Sequence, residues 1–208
     1  AVAAMWGLAP EHEAAVRVGM AASYVAAQRP DAPAIVCPSG DRTWGELEAH
    51  ANQLVRVLRN AGLQAGDPVA LLCTNRAEFA EVWAACTRAG FRQTNVNWHL
   101  TPDEAAYIVA DCGAKAFIAD VAAASALPPA PGSDLRLAIG GRLAGFDSYD
   151  AVLAAEDPAP IDDPSLGTAM LYTSGTTGYP KGVAKAPDPD SYVLGLLLYA
   201  YGEGDGHV

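Results

Sequence analysis

Positive charge is scarce in this 208-residue chain, which has 13 Lys and Arg residues against 24 Asp and Glu, for a net charge of −11. A surface this acidic repels a phosphodiester backbone, so the charge balance argues against nucleic-acid binding. The same field repels any nucleotide, whose binding would need local cations, backbone donors or Mg²⁺. No Lys or Arg occurs between positions 143 and 180, and only Lys181 and Lys185 follow that stretch.

Paired cysteine motifs and long apolar runs are also missing. Most of the cysteines lie in or beside apolar runs, which predicts buried free thiols in a reducing compartment and no metal site; they are Cys37, Cys73, Cys86 and Cys112. The N-terminus lacks the basic start and apolar core of a signal peptide. No apolar run approaches the ~20 residues of a membrane span. The sequence therefore predicts a cytoplasmic protein without a membrane span.

Short apolar runs alternate with amphipathic segments along the chain. The run 69–73 is continuously apolar, as expected of a strand buried on both faces. Further strands are predicted at 34–37, 91–96, 115–119, 135–139, 168–172 and 182–185, and helices at 44–61, 76–89, 102–111, 149–156 and 190–201. This alternation predicts an α/β fold with mostly parallel sheets flanked by helices.

Capping patterns mark the starts of three predicted helices. Thr43 with Glu46 fits a capping box, and so does Thr101 with Glu104, which is strengthened by a proline at the first helical position. Asn75 is predicted to cap the helix between them, together with Glu78.

The most informative run is 173–183, which reads Thr-Ser-Gly-Thr-Thr-Gly-Tyr-Pro-Lys-Gly-Val. It follows a predicted strand, and parallel sheets bind ligands beyond the carboxyl ends of their strands. The two glycines permit the positive φ angles and close approach that a phosphate needs, while the hydroxyls and the lysine add donors and charge. The alternative is a polar turn between two strands. We predict phosphate binding by Thr173, Ser174, Gly175, Thr176, Thr177, Gly178 and Lys181.

The spacing separates this run from a Walker A loop. That motif has Gly directly before its Lys and Ser or Thr directly after it, whereas Lys181 lies between Pro180 and Gly182. Gly182 is expected to let another chain segment pack closely against it.

On these residues, the segment 172–183 resembles the phosphate loop of the adenylate-forming (AMP-binding) superfamily, which includes acyl-CoA synthetases, luciferases and peptide-synthetase adenylation domains. The segments 43–47 and 66–72 resemble earlier motifs of that family. The segment 97–101 is closer to bacterial acyl-CoA synthetases, which include fatty-acid–CoA ligases. The resemblance extends from about Ser23 onward.

The resemblance implies that residues 23–208 are the N-terminal portion of the large AMP-binding domain, preceded by an extension at 1–22. A carboxylate would attack the α-phosphate of ATP to give an acyl-adenylate, and the thiol of coenzyme A would then displace AMP. The loop would hold the β- and γ-phosphates with Mg²⁺. The family's catalytic lysine and later motifs do not occur in this chain, so we expect the chain alone to be inactive.

Two alternatives remain open: an adenylation unit that loads a carrier protein, and a non-catalytic nucleotide-binding or interaction module. The identity of the carboxylic acid stays open, and exposed sheet edges make a homodimer conceivable. Among other polar residues, His99 is expected to have a structural role. Arg76 is expected on a solvated face or paired with a glutamate, and Lys185 either supplements Lys181 or is simply exposed.

Overall fold

The computed structural model describes residues 9–128, 132–173 and 180–190. Its helices are α1 (Pro10–Arg17), α2 (Ala21–Gln28), α3 (Trp44–Asn60), α4 (Ala77–Arg88), α5 (Pro102–Asp111) and α6 (Tyr149–Ala154), with a 3₁₀ helix at Val121–Ala126. Its strands are β1 (Pro33–Ile35), β2 (Arg42–Thr43), β3 (Pro68–Leu72), β4 (Arg92–Val96), β5 (Ala116–Asp120), β6 (Leu135–Ile139), β7 (Asp147–Ser148), β8 (Thr168–Thr173) and β9 (Lys181–Ala184).

Seven of these strands form one sheet in the order β7-β6-β5-β3-β4-β8-β9. All neighbours are parallel except β9, which runs antiparallel to β8. The short strands β1 and β2 form a separate antiparallel pair. The predicted α/β fold with a mostly parallel sheet is therefore confirmed. Of the predicted helix 190–201, only residue 190 lies within the described residues.

The sheet has an apolar core on each face. Alternate residues of β3 point to opposite sides: Val69 and Leu71 pack with α3, α4 and α6, whereas Ala70 and Leu72 pack with α5 and the 3₁₀ helix. Each of these four side chains is completely buried. Burial on both faces explains why the sequence of β3 is continuously apolar, since a strand covered on one side alone would alternate with polar residues.

Both predicted capping boxes are present. The Glu46 amide donates to Thr43 Oγ1 at 3.2 Å, and Glu46 Oε2 accepts from the Thr43 amide at 2.8 Å. Thr101 and Glu104 repeat the arrangement at the start of α5. The predicted Asn75 cap is wrong, because α4 begins after Arg76 and its N-cap makes no side-chain hydrogen bond. The guanidinium of Arg76 instead engages the Glu78 carboxylate.

The segment that leads into β8 is hydrogen-bonded to the carboxyl end of α4, and these contacts fix the position of the strand. The amide of Gly167 donates to the carbonyl of Thr87 at 2.7 Å, and the Ser165 amide donates to the Arg88 carbonyl at 2.8 Å. A β-carbon on Gly167 would overlap the carbonyl oxygens of Cys86 and Phe91. Only glycine therefore allows β8 to start this close to the helix.

The four cysteines are free thiols. Cys73, Cys86 and Cys112 are buried and Cys37 is partly buried, as the sequence predicts for most of them. Burial raises the pKa of the Cys73 thiol to about 12, so this thiol stays protonated at neutral pH. Among the described residues, no helix has both the length and the apolar character needed to cross a membrane.

Candidate nucleotide-phosphate site

The predicted phosphate loop joins β8 to β9, and the structure describes its two ends. Thr173, the last residue of β8, pairs in register with Lys181, the first residue of β9. The two residues thus face each other across the mouth of the loop. The other predicted phosphate ligands lie outside the described residues; they are Ser174, Gly175, Thr176, Thr177 and Gly178.

The mouth of the loop lies at the carboxyl edge of the parallel sheet. β8 runs parallel to β4, so Thr173 and the end of β4 lie at the same edge. This is the edge at which parallel sheets bind ligands. Both Thr173 and Lys181 are exposed, so a ligand at this edge has access to the hydroxyl and to the ammonium group.

One face of the β8–β9 hairpin packs against the body of the protein. Met170 and Tyr172 contact the core on the α5 side of the sheet. A β-carbon on Gly182 would overlap Met170 Cε and would lie 3.0 Å from Tyr172 Cζ, so the expected close packing at Gly182 is confirmed. The Tyr172 hydroxyl donates to Asp111 Oδ2 at 2.6 Å. This bond ties the strand that leads into the loop to the end of α5.

Lys181 and Lys185 are both exposed. Lys181 is the first residue of β9 and lies at the mouth of the loop, whereas Lys185 follows the last residue of that strand. Lys181 is therefore the better placed cation for a phosphate in the loop.

A second polar cluster at the same edge was not anticipated from the sequence. Arg76 donates to both oxygens of Glu78 at 2.9 and 3.0 Å and to Asp120 Oδ1 at 3.3 Å. With its side chain 15% exposed, Arg76 is not on a solvated face, whereas the predicted pairing with a glutamate is confirmed. The hydrogen bonds to Glu78 raise the pKa of the Arg76 guanidinium. The fully buried Asp120 also accepts a hydrogen bond from the Thr74 hydroxyl.

This cluster is separate from the loop. Thr74 and Arg76 follow β3, and β4 lies between β3 and β8, which corresponds to roughly 10 Å across the sheet. Arg76 is paired with two carboxylates, so its charge is already neutralised. The cluster could have been found from the sequence only by knowing that β3 and β5 are neighbours, because Asp120 is the last residue of β5.

The loop after β4 carries an exposed aromatic pair at this edge. Trp98 is 38% exposed and its ring centroid lies 3.6 Å from that of His99. The His99 amide donates to Asn97 Oδ1 at 3.0 Å, which fixes the turn. His99 thus has a local structural contact, in agreement with the prediction.

Two surface cavities differ in their relation to the loop. A cavity of about 480 Å³ lies within the 141–148 segment beside β6 and β7, four or more strands from β8. The other, about 270 Å³, lies against β8 and β9 and includes Leu171, Val183 and Lys185 in its wall. Only the second adjoins the hairpin that carries the loop.

Comparison with known proteins agrees with the resemblance. Residues 23–185 match the family described as AMP-binding enzyme. Fatty acid–[acyl-carrier-protein] ligase ScoC of Streptomyces coeruleorubidus is 34% identical over 168 residues, which are 79% of this chain and 32% of that protein. Long-chain-fatty-acid–CoA ligase FadD13 of Mycobacterium tuberculosis (strain ATCC 25618 / H37Rv) is 34% identical over 167 residues, 74% of this chain and 32% of that protein. The chain spans about a third of the length of these relatives.

Solved structures show the same similarity. The anthranilate CoA ligase AuaEII in complex with anthranoyl-AMP superposes with a TM-score of 0.69 at 26% identity, covering 83% of this chain and 34% of that one. A Mycobacterium tuberculosis fatty acyl CoA synthetase gives a TM-score of 0.67 at 27% identity over 84% of this chain and 35% of that one. The chain therefore belongs to the AMP-binding enzyme family of adenylate-forming ligases, in which its relatives are acyl-CoA and acyl-carrier-protein ligases.

Proposed function

We propose that this chain is the N-terminal part of an ATP-dependent acid–thiol ligase that makes an acyl-adenylate and then an acyl-CoA. In this proposal, residues 23–208 form the first part of the AMP-binding domain and residues 1–22 precede it. The family match over 23–185 supports this division. The described part of the N-terminal segment packs against the rest of the protein, since Val16 of α1 is 1% exposed.

The observation that carries the proposal is the pairing of Thr173 with Lys181 across the mouth of the loop at the carboxyl edge of the sheet. The hairpin fixes both ends of the loop, and seven residues lie between them in the sequence. In our proposal the backbone N–H groups and hydroxyls of residues 173–178 bind the β- and γ-phosphates of ATP. Lys181 then offsets charge on the departing pyrophosphate, which is where negative charge develops.

The first step forms one bond and breaks another. A carboxylate oxygen of the acid attacks the α-phosphorus, and the bond from that phosphorus to the oxygen bridging the β-phosphate breaks, releasing pyrophosphate. In the second step the thiol of coenzyme A gives up its proton to water and its sulfur bonds to the acyl carbon, while the bond from that carbon to the phosphate oxygen breaks and AMP leaves. Holding the pyrophosphate in line with the attacking oxygen is the contribution that this chain's loop makes.

Mg²⁺ fits this site as part of the nucleotide substrate. Mg²⁺ usually keeps several waters and binds through one or two carboxylates plus substrate phosphates. Across the described ranges, no group of three or more His, Cys, Asp or Glu side chains could hold a metal ion, and the described ends of the loop offer one side-chain oxygen, the Thr173 hydroxyl. The ion would accordingly enter as the complex with ATP.

Binding and exchange measurements on this chain test the proposal. We expect calorimetric titration with Mg·ATP to show binding that weakens about 10-fold or more in Lys181→Ala. Lys115→Ala is the matched control, because it removes the same charge at the amino end of β5, where Lys115 pairs with Asp67 at 2.7 Å. Equal affinities of the two variants would show that Lys181 does not contact phosphate.

The chain alone should catalyse no exchange of labelled pyrophosphate into ATP, and robust exchange would contradict the proposal that it is one part of a ligase. In a full-length ligase that contains this chain, Lys181→Ala should slow acyl-adenylate formation about 10²-fold, the typical effect of removing one preorganised donor. If ATP binds normally and the full-length protein makes no adenylate, a non-catalytic nucleotide-binding module is the better description.

A carrier-protein acceptor is the second candidate. ScoC and FadD13 are equally identical to this chain, and one is named as an acyl-carrier-protein ligase and the other as a CoA ligase. The first step is common to both. Supplying a full-length ligase with a fatty acid, ATP and either coenzyme A or a phosphopantetheinylated carrier protein, and measuring which thioester accumulates, separates the two.

A further inference from the structure

The side of the β8–β9 hairpin that points away from the α5 core carries a polar pair and an apolar pair of side chains. We call it the outer face, and it consists of Thr173, Lys181, Leu171 and Val183. Thr173 pairs with Lys181, and Leu171 pairs with Val183, in the β8–β9 register. Side chains two residues apart share one face of a strand, so the two pairs lie next to each other. The outer face is therefore polar and charged at the mouth of the loop and apolar farther from it.

The apolar pair of the outer face lines a groove. Leu171 is 56% exposed and Val183 is 46% exposed, and both belong to the wall of the cavity of about 270 Å³. On the side away from the mouth, that wall also includes Ala169, Ala186 and Pro187. Exposed apolar side chains that line a groove beside a polar rim are typical of a ligand-binding surface.

Lys181 makes one end of this groove positive. At the other end, Lys185 shares the cavity wall with Asp188, whose negative charge offsets that of the lysine. The chain as a whole has a net charge of −11, so an anionic group is repelled by most of its surface and attracted only where a cation stands. The charges therefore favour an anionic head group at the mouth of the loop.

The length of the groove sets the size of its occupant. From Thr173 to Ala169 the strand β8 spans roughly 13 Å, at about 3.3 Å per residue. An extended alkyl chain advances roughly 1.3 Å per bond, from carbon–carbon bonds of about 1.5 Å at tetrahedral angles, so about ten carbons cover that distance. The cavity is near the lower end of the roughly 300–1,000 Å³ of ligand pockets, which favours a slender chain over a ring system.

We propose that the outer face binds a straight-chain aliphatic carboxylic acid of about ten carbons, with its carboxylate beside Lys181 and its chain across Leu171 and Val183. The inference rests on the proposed function, because the carboxylate then lies at the edge where the loop is proposed to hold ATP. It names the class of acid that the ligase activates. A second copy of the chain fits the groove less well, since two chains of net charge −11 repel each other.

Calorimetric titration of the 208-residue chain with linear acids of six, eight and ten carbons tests the assignment. Each added CH₂ should lower the Kd about 2-fold, because a groove open on one side buries roughly half of each CH₂ and full burial is worth about 4-fold. Decylammonium has the same chain as decanoate and the opposite charge. It should bind at least about 5-fold more weakly than decanoate, although the acidic chain as a whole attracts cations.

Polar substitution of the apolar pair should weaken the binding of decanoate. Leu171→Thr combined with Val183→Thr should raise its Kd about 10-fold, while threonine keeps a β-branched side chain that suits a strand. Val36→Thr is the matched control, because Val36 is 76% exposed and lies outside the hairpin, and it should change the Kd less than about 2-fold. The affinity for Mg·ATP should stay within about 2-fold in both variants, since the phosphate loop keeps its residues.

Photolabelling of the unsubstituted chain gives a second measurement that does not depend on the folding of a variant. A linear acid with a diazirine near the end of its chain should label 166–169 and 185–188, the residues away from the mouth, as located by peptide mass spectrometry. Excess decanoate should suppress that labelling.

Three results would overturn the assignment of the acid site. They are a Kd that does not depend on chain length, equal decanoate affinity in the double threonine variant and in Val36→Thr, and photolabelling confined to the 141–148 cavity. If Mg·ATP binds normally in such a case, the proposed function stands and only the acid site fails. A chain that binds decanoate but not Mg·ATP would overturn the proposed function, and with it the acid's role as a substrate. A dimer that the double threonine variant dissociates would assign the outer face to a second copy of the chain.

Discussion

Tyr172 and Asp111 are joined by a hydrogen bond of 2.6 Å between the phenolic hydroxyl and Oδ2. The bond links the strand that enters the phosphate loop to the last residue of α5. Burial, together with the bond to Asp111, raises the pKa of Tyr172, so the hydroxyl remains a donor at neutral pH. The two residues are 61 positions apart in the sequence, and their contact anchors the hairpin on its α5 side.

Tyr172→Phe should therefore lower the free energy of unfolding by about 1 kcal/mol, the net value of a typical intramolecular hydrogen bond. Urea titrations of Tyr172→Phe, Asp111→Ala and the double variant would isolate the interaction. A favourable coupling free energy between the two sites is the expected result. Purely additive effects of the two substitutions would mean that the bond contributes nothing to stability.

Gly167→Ala should be more damaging, because the added methyl meets backbone atoms that cannot rotate away. The carbonyl oxygens of Cys86 and Phe91 lie where the β-carbon would be, so β8 must shift away from α4. We expect a loss of about 2–3 kcal/mol in thermal or urea unfolding. Gly132→Ala is the control, since no atom lies within 4 Å of the position of its β-carbon; equal losses for both variants would contradict this explanation.

Features that depend on nearby residues were predictable from the sequence, whereas contacts between distant residues were not. The capping boxes at Thr43 and Thr101 were predictable because each depends on residues three positions apart. The buried strand β3 was predictable from its continuous apolar run. Asn75 is not the cap because α4 begins after Arg76, whose side chain pairs with Glu78 and Asp120. Asp120 is 44 residues away in sequence, and only the sheet order brings the two together.

The phosphate loop shows the same distinction. Its residue types and its place after a buried strand were readable from the sequence, and the hairpin register confirms the position of its two ends, Thr173 and Lys181. The contacts that anchor the hairpin could not be predicted from the sequence. Asp111 contacts β8 through its side chain, and Arg88 contacts the chain leading into β8 through its backbone carbonyl. Both belong to distant helices, and nothing in their local sequence indicates these contacts.

Arg88 should be required for folding because its charge is completely buried. Its side chain is 0% exposed, pairs with Glu48 at 2.8 Å and donates to Asn52 Oδ1. Arg88→Met leaves the Glu48 carboxylate without this partner, and breaking a buried pair on one side costs about 3–5 kcal/mol. Adding Glu48→Gln to Arg88→Met should recover part of that loss.

The control for Arg88 is Arg142→Met, which removes an exposed arginine and should change stability by less than about 0.5 kcal/mol. Circular dichroism followed during urea unfolding measures all three variants. If Arg88→Met is as stable as Arg142→Met, the buried pair does not hold α3 against α4.

The pair formed by the partly exposed His50 and the buried Glu81 makes stability depend on pH. His50 Nδ1 lies 2.8 Å from Glu81 Oε1, and Glu81 is 0% exposed. The hydrogen bond to Glu81 raises the pKa of His50. Burial alone would raise the pKa of Glu81, but hydrogen bonds from His50 and Arg42 hold it below its ordinary value. Glu81 also accepts from the Tyr149 hydroxyl at 2.9 Å, so the carboxylate links three helices.

The folded protein binds the His50 proton more tightly than the unfolded chain does. The resulting stabilisation is fully present below about pH 6.5, the unfolded value, and is lost as the pH rises through the raised folded pKa. His50→Gln keeps a neutral donor but removes the charge. The difference in unfolding free energy between the parent chain and His50→Gln should therefore be larger at pH 6 than at pH 9. A His50 difference that is constant with pH would mean that the pair contributes through packing and not through charge.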